Sequence, residues 1–264
     1  MQQLLWPLVQ AVRTQSPLVH NITNLVVMNN TANALLAVGA SPIMAHAHAE
    51  VAQLQTICQA LVLNIGTLDE YWVEAMLQAA AAANALGRPW VLDPVGAGAT
   101  AYRDDVLRQL LALRPTIIRG NASEILALAR HHTTATKGVD STAASTEAVT
   151  AARQLSAQWG SVVCVSGETD IVVDGTRRAD IANGSPLLTR VTGMGCSASA
   201  VLGALAAVAP PFEAAVAGVA LFSLSGELAA TGAAGPGSLQ VRLLDTLHSL
   251  TEAEFTAHLR LRVW

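Results

Sequence analysis

Residues 61–94, LVLNIGTLDEYWVEAMLQAAAAANALGRPWVLDP, place a long helical pattern between two short apolar runs. Leu61–Ile65 and Trp90–Leu92 are apolar on consecutive positions, as in strands that helices cover on both faces. The alanine-rich segment Asp69–Leu86 has helical spacing and is followed by Gly87, a residue type that commonly ends helices in the left-handed conformation. This stretch therefore predicts a strand, a helix and a second, parallel strand.

The same alternation of short strands and longer helices continues along the chain. Thr116–Ile118 and Val162–Val165 are further β-rich runs, each followed by helical spacing. Such alternation is typical of a parallel sheet with helices on both faces. We expect an α/β protein with a three-layer α/β/α architecture and a mostly parallel central sheet. No long linker or repeat divides residues 1–264, so a single domain is predicted.

Several further elements can be predicted on either side of these runs. A helix is expected over Asn24–Val38, with Gly39 as its stop. The sequence IVVDGTRRAD over Ile171–Asp180 contains Asp-Gly, a strong signal for a β-hairpin. The polar stretch His131–Ser145 is the best candidate for a mobile surface loop. After Thr192 the pattern is almost wholly helical, and the expected helices are Ser197–Val208, Glu213–Ala230, Ser238–Leu250 and Glu252–Leu259.

Composition excludes some classes of partner. The formal net charge of −4 gives no general attraction for nucleic acid or anionic lipid, and no basic cluster stands out. The uncharged stretch Val191–Phe212 is long enough to suggest a membrane span, but glycines and Pro210-Pro211 divide it, so we expect two buried helices. No secretion signal is recognisable in the first residues. We therefore expect no nucleic acid partner, no membrane insertion and a cytoplasmic location.

The three cysteines, Cys58, Cys164 and Cys196, lie far apart and form no CxxC pair. Neither a structural zinc site nor a disulfide framework is indicated, so reduced thiols are expected. Cys58 and Cys164 are interpreted as buried small apolar residues within a helix and a strand, respectively.

The segment Val191–Cys196, VTGMGC, opens a long apolar helix. Its two glycines allow consecutive backbone N–H groups to converge, and a helix start adds unpaired donors and the positive end of the dipole, which together suit a phosphate. Cys196 would lie in the first helical turn, where these groups favour the thiolate and lower the thiol pKa, so it could accept a proton from an alcohol. The alternatives are a tight helix entry and a buried cysteine without chemistry.

Over essentially its whole length the sequence resembles the hydroxyethylthiazole kinase family of the ribokinase-like superfamily. No one of the matching stretches would suffice, but together and in this order they are specific. They are Ser16–Val51, Leu63–Leu68, Val91–Thr100 (VLDPVGAGAT), Ile117–Ile125 (IIRGNASEI), Lys137–Thr142 (KGVDST), Val165–Asp170 and Thr192–Ala200 (TGMGCSASA).

The resemblance implies a magnesium-dependent kinase that moves the γ-phosphoryl group of ATP onto the primary hydroxyl of hydroxyethylthiazole, a thiamine precursor. It also implies a homotrimer with its active sites at the subunit interfaces. Cys196 matches the family's proposed general base, where most relatives in the superfamily have aspartate. Gly193 and Met44 match substrate-contacting positions, and Arg119 and Ser166 match positions that contact ATP.

Four further residues complete the expected site. Asn24 and Gly66 are expected to join the substrate pocket. Asp93 and Glu124 are the candidate magnesium ligands, because each lies just past a predicted strand, where open parallel sheets bind their ligands. From the sequence alone, Asp93 could equally be a turn-forming acid before Pro94, and Glu124 could complement a helix dipole beside an Asn121 cap. Arg119 could also be an ordinary surface arginine.

Other functions stay open at this point. Departures from the commonest family pattern are Met194 in the GxGC turn and Ser166, where threonine is frequent. One rival is a related kinase or nucleotide-dependent dehydratase acting on another small alcohol or hydrate. Another is a non-catalytic thiazole or nucleotide sensor with the same fold.

His20, His46 and His48 are interpreted as hydrogen-bonded polar residues rather than as a metal site.

Overall fold

The central sheet determines where every candidate site residue lies. The structure is a computed structural model that describes residues 2–130 and 141–264, with side chains for 3–130 and 146–264. Within these ranges nine strands form one sheet in the order β2-β1-β3-β4-β5-β6-β7-β8-β9. The first six in this order are parallel and the last three add antiparallel. The strands are β1 (Leu18–Ile22), β2 (Ser41–Ile43), β3 (Ala60–Asn64), β4 (Trp90–Asp93), β5 (Ile117–Asn121), β6 (Val162–Ser166), β7 (Asp170–Asp174), β8 (Arg177–Ile181) and β9 (Leu261–Val263).

Helices cover both faces of the sheet, which confirms the predicted three-layer α/β/α architecture. One face carries α1 (Gln2–Gln15), α2 (Met28–Val38), α8 (Met194–Ala206), α9 (Pro211–Thr231), α10 (Pro236–Ser249) and α11 (Glu252–His258). The other face carries α3 (Val51–Leu54), α4 (Glu70–Ala85), α5 (Ala101–Ala112), α6 (Ala122–Arg130) and α7 (Ser141–Trp159). A 3₁₀ helix over Pro186–Arg190 precedes α8.

The unbroken apolar runs of the strands follow from this two-sided burial. All five residues of β3 are buried. Ala60 and Val62 belong to the hydrophobic core under α8 and α9, whereas Leu61 and Leu63 belong to the core under α4 to α7. Because neighbouring residues of a strand point to opposite faces, a strand between two helix layers needs apolar residues at every position.

The predicted helix stops and the hairpin are confirmed. Gly39 and Gly87 adopt left-handed backbone conformations, with φ of 94° and 61°. Strands β7 and β8 pair antiparallel around Gly175. The helix expected from Asn24 begins only at Met28, because Asn24 instead places its side chain in the polar network described below.

Three strands carried too little pattern to be predicted. Strand β1 is mostly buried but contains His20 and Asn21, and β2 and β9 have only three residues each. Cys58 lies just after α3 rather than within a helix, although it is fully buried as expected. A loop was expected over His131–Ser145. Residues 131–140 lie outside the described residues, and α7 begins at Ser141.

The apolar segment near residue 200 belongs to the core. The stretch Val191–Phe212 is divided between α8 and the first turn of α9, so the expected interruption is present. Among the described residues, one helix, Pro211–Thr231, is long and apolar enough to cross a membrane, and 78% of its apolar window is buried inside the domain. This degree of burial is that of a core helix.

Helix α1 is fastened to the opposite end of the chain. The Arg13 guanidinium donates hydrogen bonds of 3.1–3.3 Å to the carbonyl oxygens of Leu247, His248 and Leu250, where α10 ends. A cation at this position also complements the negative end of the helix dipole. Trp6 packs against Phe255 of α11, with ring centroids 5.5 Å apart. The first helix therefore docks on elements more than 200 residues away.

A glycine of α8 that packs against the sheet supplies a stability test. A Cβ added at Gly203 would lie 2.4 Å from Cγ2 of Val62. We expect Gly203→Ala to lower the free energy of unfolding by about 1–3 kcal/mol, because the buried helix and strand have no room to separate. Urea denaturation measures this change. Gly237→Ala, in α10 with nothing within 4 Å, is the matched control and should be neutral or stabilising; an unchanged midpoint for Gly203→Ala would contradict the packing argument.

Candidate active site

Most of the predicted site residues lie at the carboxyl ends of the parallel strands, along one side of the sheet. Asp93 and Ser166 are the last residues of β4 and β6, and Arg119 lies within the last three residues of β5. Open parallel sheets bind ligands at this edge, because the loops leaving adjacent strands converge there. Three others lie in the loops just beyond strands: Asn24 after β1, Met44 after β2 and Gly66 after β3.

Helix α8 begins at Met194, with Gly193 as its N-cap at φ 80°. The left-handed conformation favours glycine. A Cβ at Gly193 would also lie 2.4 Å from Cγ1 of Val27, so the turn is packed against the chain after β1. Cys196 lies in the first turn, as the sequence predicted. The free backbone N–H groups of this helix start are therefore available to an anion.

Arg119 lies directly against this helix start. A Cβ at Gly195 would be 2.6 Å from Nη1 of Arg119, so the missing side chain of Gly195 makes room for the guanidinium. Arg119 also lies near Asp93 and Cys196. Burial raises the pKa of both groups overall, and the positive charge of Arg119 acts against this rise. Among the described residues, the guanidinium has no hydrogen-bond or ion-pair partner. A cation and a set of helix N–H groups thus meet at one point.

A buried hydrogen-bond network connects Cys196 to Asp93. The Asn24 side-chain amide donates to Sγ of Cys196 at 3.5 Å and to Oδ1 of Asn64 at 2.8 Å. Asn64 in turn donates to Oδ2 of Asp93 at 2.7 Å, and Ser199 of α8 donates to the same oxygen at 2.8 Å. The backbone N–H of Gly66 donates to Oδ1 of Asn64 at 2.9 Å. The N–H of Gly66 can only donate, so the atom of Asn64 that faces it must be the amide oxygen. This assignment fixes the orientation of both asparagine amides.

The network explains the unusual state of Asp93. Burial, with a smaller contribution from the charge of Glu124, raises the pKa of this carboxyl to about 6, against the opposing effects of Arg119, the Ser199 hydroxyl and the Asn64 amide. Asp93 is only 2% exposed. A buried carboxylate needs hydrogen bonds or a nearby positive charge, and Asn64, Ser199 and Arg119 supply them.

The expectation that the start of α8 would lower the pKa of the Cys196 thiol is wrong. Burial, followed by the charge of Asp93, raises the pKa of this thiol to about 11, although Asn64, Asn24 and Arg119 act in the opposite direction. Removing a thiolate from water costs more than these groups return. In the ligand-free protein Cys196 is therefore a neutral thiol at neutral pH.

Glu124 caps a helix, which is one of the two roles that the sequence left open, and it also lies near Asp93. Its Oε2 accepts from the backbone N–H of Asn121, and the Asn121 side chain accepts from the N–H of Glu124. This reciprocal pair is the capping arrangement considered for α6. Its Oε1 accepts from the N–H of Gly96, just beyond β4, and its charge raises the pKa of Asp93. The two acids thus lie in one electrostatic environment.

Arg119 and Ser166 line the same crevice on the β5–β6 side of the site. Ser166 donates to the carbonyl oxygen of Gly120 at 3.3 Å. Asp170, also in the crevice, accepts from Ser223 at 2.5 Å and from the N–H of Gly167, and burial raises its pKa. The structure therefore brings together the two residues expected to contact ATP.

Met44 lies apart from this network, half-buried beyond the edge strand β2. Two of the nearby histidines, His20 and His48, are hydrogen-bonded, as expected, whereas His46 is held by ring stacking. His20 donates to the carbonyl oxygen of Ala45 at 2.8 Å and accepts from Gln55 at 2.5 Å, and His46 and His48 stack on aromatic rings. In the part of the chain that the structure describes, no three side chains of the usual metal-ligating types cluster.

Sequence reasoning did not identify Asn64 and Ser199, the two direct partners of Asp93. Asn64 offered a weak signal, as the one polar residue in the apolar run LVLNI. Ser199 offered none, because serine is common in helices rich in small residues. Both are fully or almost fully buried, at 1% and 0% exposure.

The three-layer architecture is a ribokinase-like fold. A ribokinase-like superfamily protein from Enterococcus faecalis shares this fold, with a TM-score of 0.65 and 12% identity over 87% of this chain and 86% of that one. The model of the hydroxyethylthiazole kinase family matches residues 9–253. The chain belongs to this family and is an enzyme, a kinase.

Two relatives support the assignment over nearly the whole chain. A hydroxyethylthiazole kinase from Syntrophus aciditrophicus is 55% identical over 258 residues, which cover 97% of this chain and 96% of that protein. The solved structure of the hydroxyethylthiazole kinase from Pyrococcus horikoshii superposes with a TM-score of 0.93, at 40% identity and with 99% of each chain covered.

The raised pKa of Cys196 predicts slow alkylation. At pH 7 its reaction with iodoacetamide should be about 100-fold slower than that of an ordinary thiol, because only the thiolate reacts. The rate should rise about tenfold per pH unit between pH 7 and 9. Peptide mass spectrometry follows this residue, and Cys196→Ala measures the background from Cys58 and Cys164, which are buried. A plateau near pH 7 would show that the thiolate is already formed.

The central place of Asn64 predicts a large effect of its removal. Asn64→Ala leaves the N–H of Gly66 without a partner and removes one hydrogen bond each from Asn24 and Asp93. We expect the free energy of unfolding to fall by about 1–3 kcal/mol and kcat to fall at least about tenfold, because lost buried hydrogen bonds are costly and Asn24, the partner of Cys196, is no longer held in place. Denaturation and initial-rate assays measure both. Asn33→Ala, which removes an exposed bond to Asn29, is the control; equal behaviour of the two variants would refute the role of Asn64.

Proposed function

We propose that this kinase transfers the γ-phosphoryl group of ATP to the primary hydroxyl of hydroxyethylthiazole, in thiamine biosynthesis or salvage. One observation supports it most directly: in a chain of this family, Arg119 and Cys196 adjoin the same helix start. An anion bound there would lie between a permanent cation and a group able to take a proton. The resemblance to named relatives supports the choice of the thiazole alcohol and of ATP.

The positive groups in the site match the demands of phosphoryl transfer. The transition state is loose and spreads its charge over the phosphoryl oxygens, so catalysis depends on positioning and on neutralising charge. In the proposal, Arg119 and the N–H groups at the start of α8 hold the transferred group. The crevice lined by Arg119 and Ser166 receives the nucleotide.

Cys196 is proposed to receive the hydroxyl proton. The alcohol oxygen forms a bond to phosphorus while the bond to the β-phosphate oxygen breaks, and the proton passes from the alcohol to Sγ. This step needs the thiolate, which the Asn24 amide and the charge of Arg119 favour and which burial and Asp93 oppose. Because the alcohol becomes more acidic as its bond to phosphorus forms, a small thiolate population meets the need.

Asp93 and Glu124 are proposed to hold magnesium. Asp93 uses Oδ2 for two hydrogen bonds, and Oδ1 accepts none among the described residues. Each Glu124 oxygen accepts one backbone N–H group and keeps a second lone pair, so this carboxylate could also interact with the ion, directly or through a water that Mg²⁺ retains. Two acids with coupled charges fit a cation. When bound, magnesium would neutralise phosphate charge.

The substrate side of the proposal involves Met44, Gly193, Asn24 and Gly66 as residues of the thiazole pocket. We further propose a cytoplasmic homotrimer with pockets between neighbouring subunits. Exposed Leu25 and Val26, at 62% and 64%, adjoin Asn24 and are consistent with a subunit contact on this side. Sedimentation that shows a stable, active monomer would refute the trimer.

A coupled assay tests the function. With ATP, magnesium and hydroxyethylthiazole, ADP release that depends on the thiazole would support the proposal. Turnover with another small alcohol alone would indicate a related kinase. Thiazole binding without ADP release would indicate a sensor. Either of these last two results would overturn the proposed reaction.

Cys196→Ala tests the proton acceptor. We expect kcat to fall about 10²–10⁴-fold while the KM for the thiazole changes little, because a general base acts chiefly in the transition state. Cys196→Ser, which can still accept from Asn24, should be similarly slow, since serine is far less acidic. Cys58→Ala controls for loss of a buried thiol outside the site. Full activity of Cys196→Ala would remove this residue from the mechanism.

A further inference from the structure

Two loops carry candidate substrate residues, and a single side chain contacts both. The loop after β1 contains Asn24, and the loop after β2 contains Met44. Trp72, in the first turn of α4, hydrogen-bonds to the first loop and stacks on the second. Trp72 is not one of the residues proposed to bind the substrate, the nucleotide or magnesium.

The contact with the first loop is a hydrogen bond next to Asn24. Nε1 of Trp72 donates to the carbonyl oxygen of Thr23 at 3.1 Å. On the other side of Asn24, the N–H of Leu25 donates to Oγ1 of Thr67 at 3.0 Å. These bonds hold the backbone of Asn24 from both sides. They therefore determine the direction in which its amide reaches Cys196 and Asn64.

The contact with the second loop is a ring stack two residues beyond Met44. His46 lies over Trp72, with ring centroids 3.8 Å apart and planes inclined by 25°. His48 stacks in the same way on Tyr71, with a centroid distance of 3.8 Å, and its Nε2 donates to the Tyr71 carbonyl oxygen at 2.8 Å. The loop that carries Met44 is thus attached to the start of α4 at two successive aromatic residues.

The anchor itself is rigid. The backbone N–H of Trp72 donates to the side chain of Asp69, the N-cap of α4, at 2.7 Å. Helix α4 then packs through Ala75, Met76 and Ala79 into the core below the sheet. A side chain mounted on such a helix holds its neighbours with less freedom than a loop residue could.

We propose that Trp72 is a positioning residue that sets the separation between Asn24 and Met44, and hence the width of the pocket for a small, flat heteroaromatic alcohol. The proposal rests on the proposed function, because it takes these two residues to line the thiazole pocket. Trp72 acts through the two loops. Its loss should therefore affect the alcohol and leave the nucleotide, bound on the β5–β6 side, unaffected.

Three variants separate the two contacts. Trp72→Leu removes both the donor and the stacking ring, and we expect the KM for hydroxyethylthiazole to rise about tenfold or more while the KM for ATP changes less than about twofold. Trp72→Phe keeps a ring for His46 but has no N–H, and should raise the thiazole KM about two- to tenfold. His46→Ala removes the stack without changing α4 and should give a similar partial effect. Calorimetric titration of each variant with the thiazole alone should show a matching rise in Kd.

Trp264→Phe is the matched control. Trp264 also uses its indole N–H, in a bond to Asp180, but lies beside β8 and β9 at the far edge of the sheet. Its kinetics should equal those of the unmodified protein. Should Trp72→Leu fail to fold, as judged by near-UV circular dichroism, Trp72→Phe and His46→Ala still decide the question.

The outcomes separate the inference from the proposed function. Unchanged thiazole KM and Kd in these variants, or an equal rise in both KM values, would overturn the role of Trp72 while the reaction stands. Absence of thiazole turnover in the unmodified protein would overturn the proposed reaction first, and with it this inference.

Discussion

The candidate active site is organised around one buried carboxylate, that of Asp93. Asp93 ends β4 at the centre of the sheet, where helices cover both faces. Burial there favours the protonated acid, and the charge survives near neutral pH only because Asn64, Ser199 and Arg119 offset part of the cost. These three residues come from β3, α8 and β5, so holding one charge fixes the relative positions of three elements.

The same constraint gives the site its two sides. On one side, Arg119 lies against the start of α8, where Gly195 leaves room for it. On the other, the asparagine pair continues from Asp93 to the sulfur of Cys196. The proposed anion site and the proposed proton acceptor are thus linked through Asp93. Hydrogen-bonded networks of this kind contribute more than their separate bonds, because each member orients the next.

The sequence revealed most of the architecture, because regular features produce regular patterns. The double-sided apolar strands, the stops at Gly39 and Gly87, and the Asp-Gly hairpin were all predictable from local physics. Strands β2 and β9, with three residues each, were too short to show a period. The positions of Asp93 and Arg119 at strand ends followed from the strand pattern, and that of Cys196 in the first turn of a helix followed from the two glycines before it.

Properties that depend on long-range contacts were less predictable from the sequence. The pKa of Cys196 was expected to fall because the helix start is visible in the sequence, whereas the burial that raises it is not. Trp72 carries no local signature and Asn64 only a weak one, since their roles arise from hydrogen-bond partners 29 to 49 residues away in the chain. Such roles can be read only once the loops are placed.

The attachment of α1 to the end of α10 has a consequence during synthesis on the ribosome. Arg13 emerges first, but its carbonyl partners follow more than 200 residues later, as does most of α9, on which α1 packs. At elongation rates of roughly 5–20 residues per second, the apolar face of this helix stays without its native cover for about ten seconds or longer. Helix α1 therefore cannot complete its native packing until the ribosome has synthesised α9 and α10.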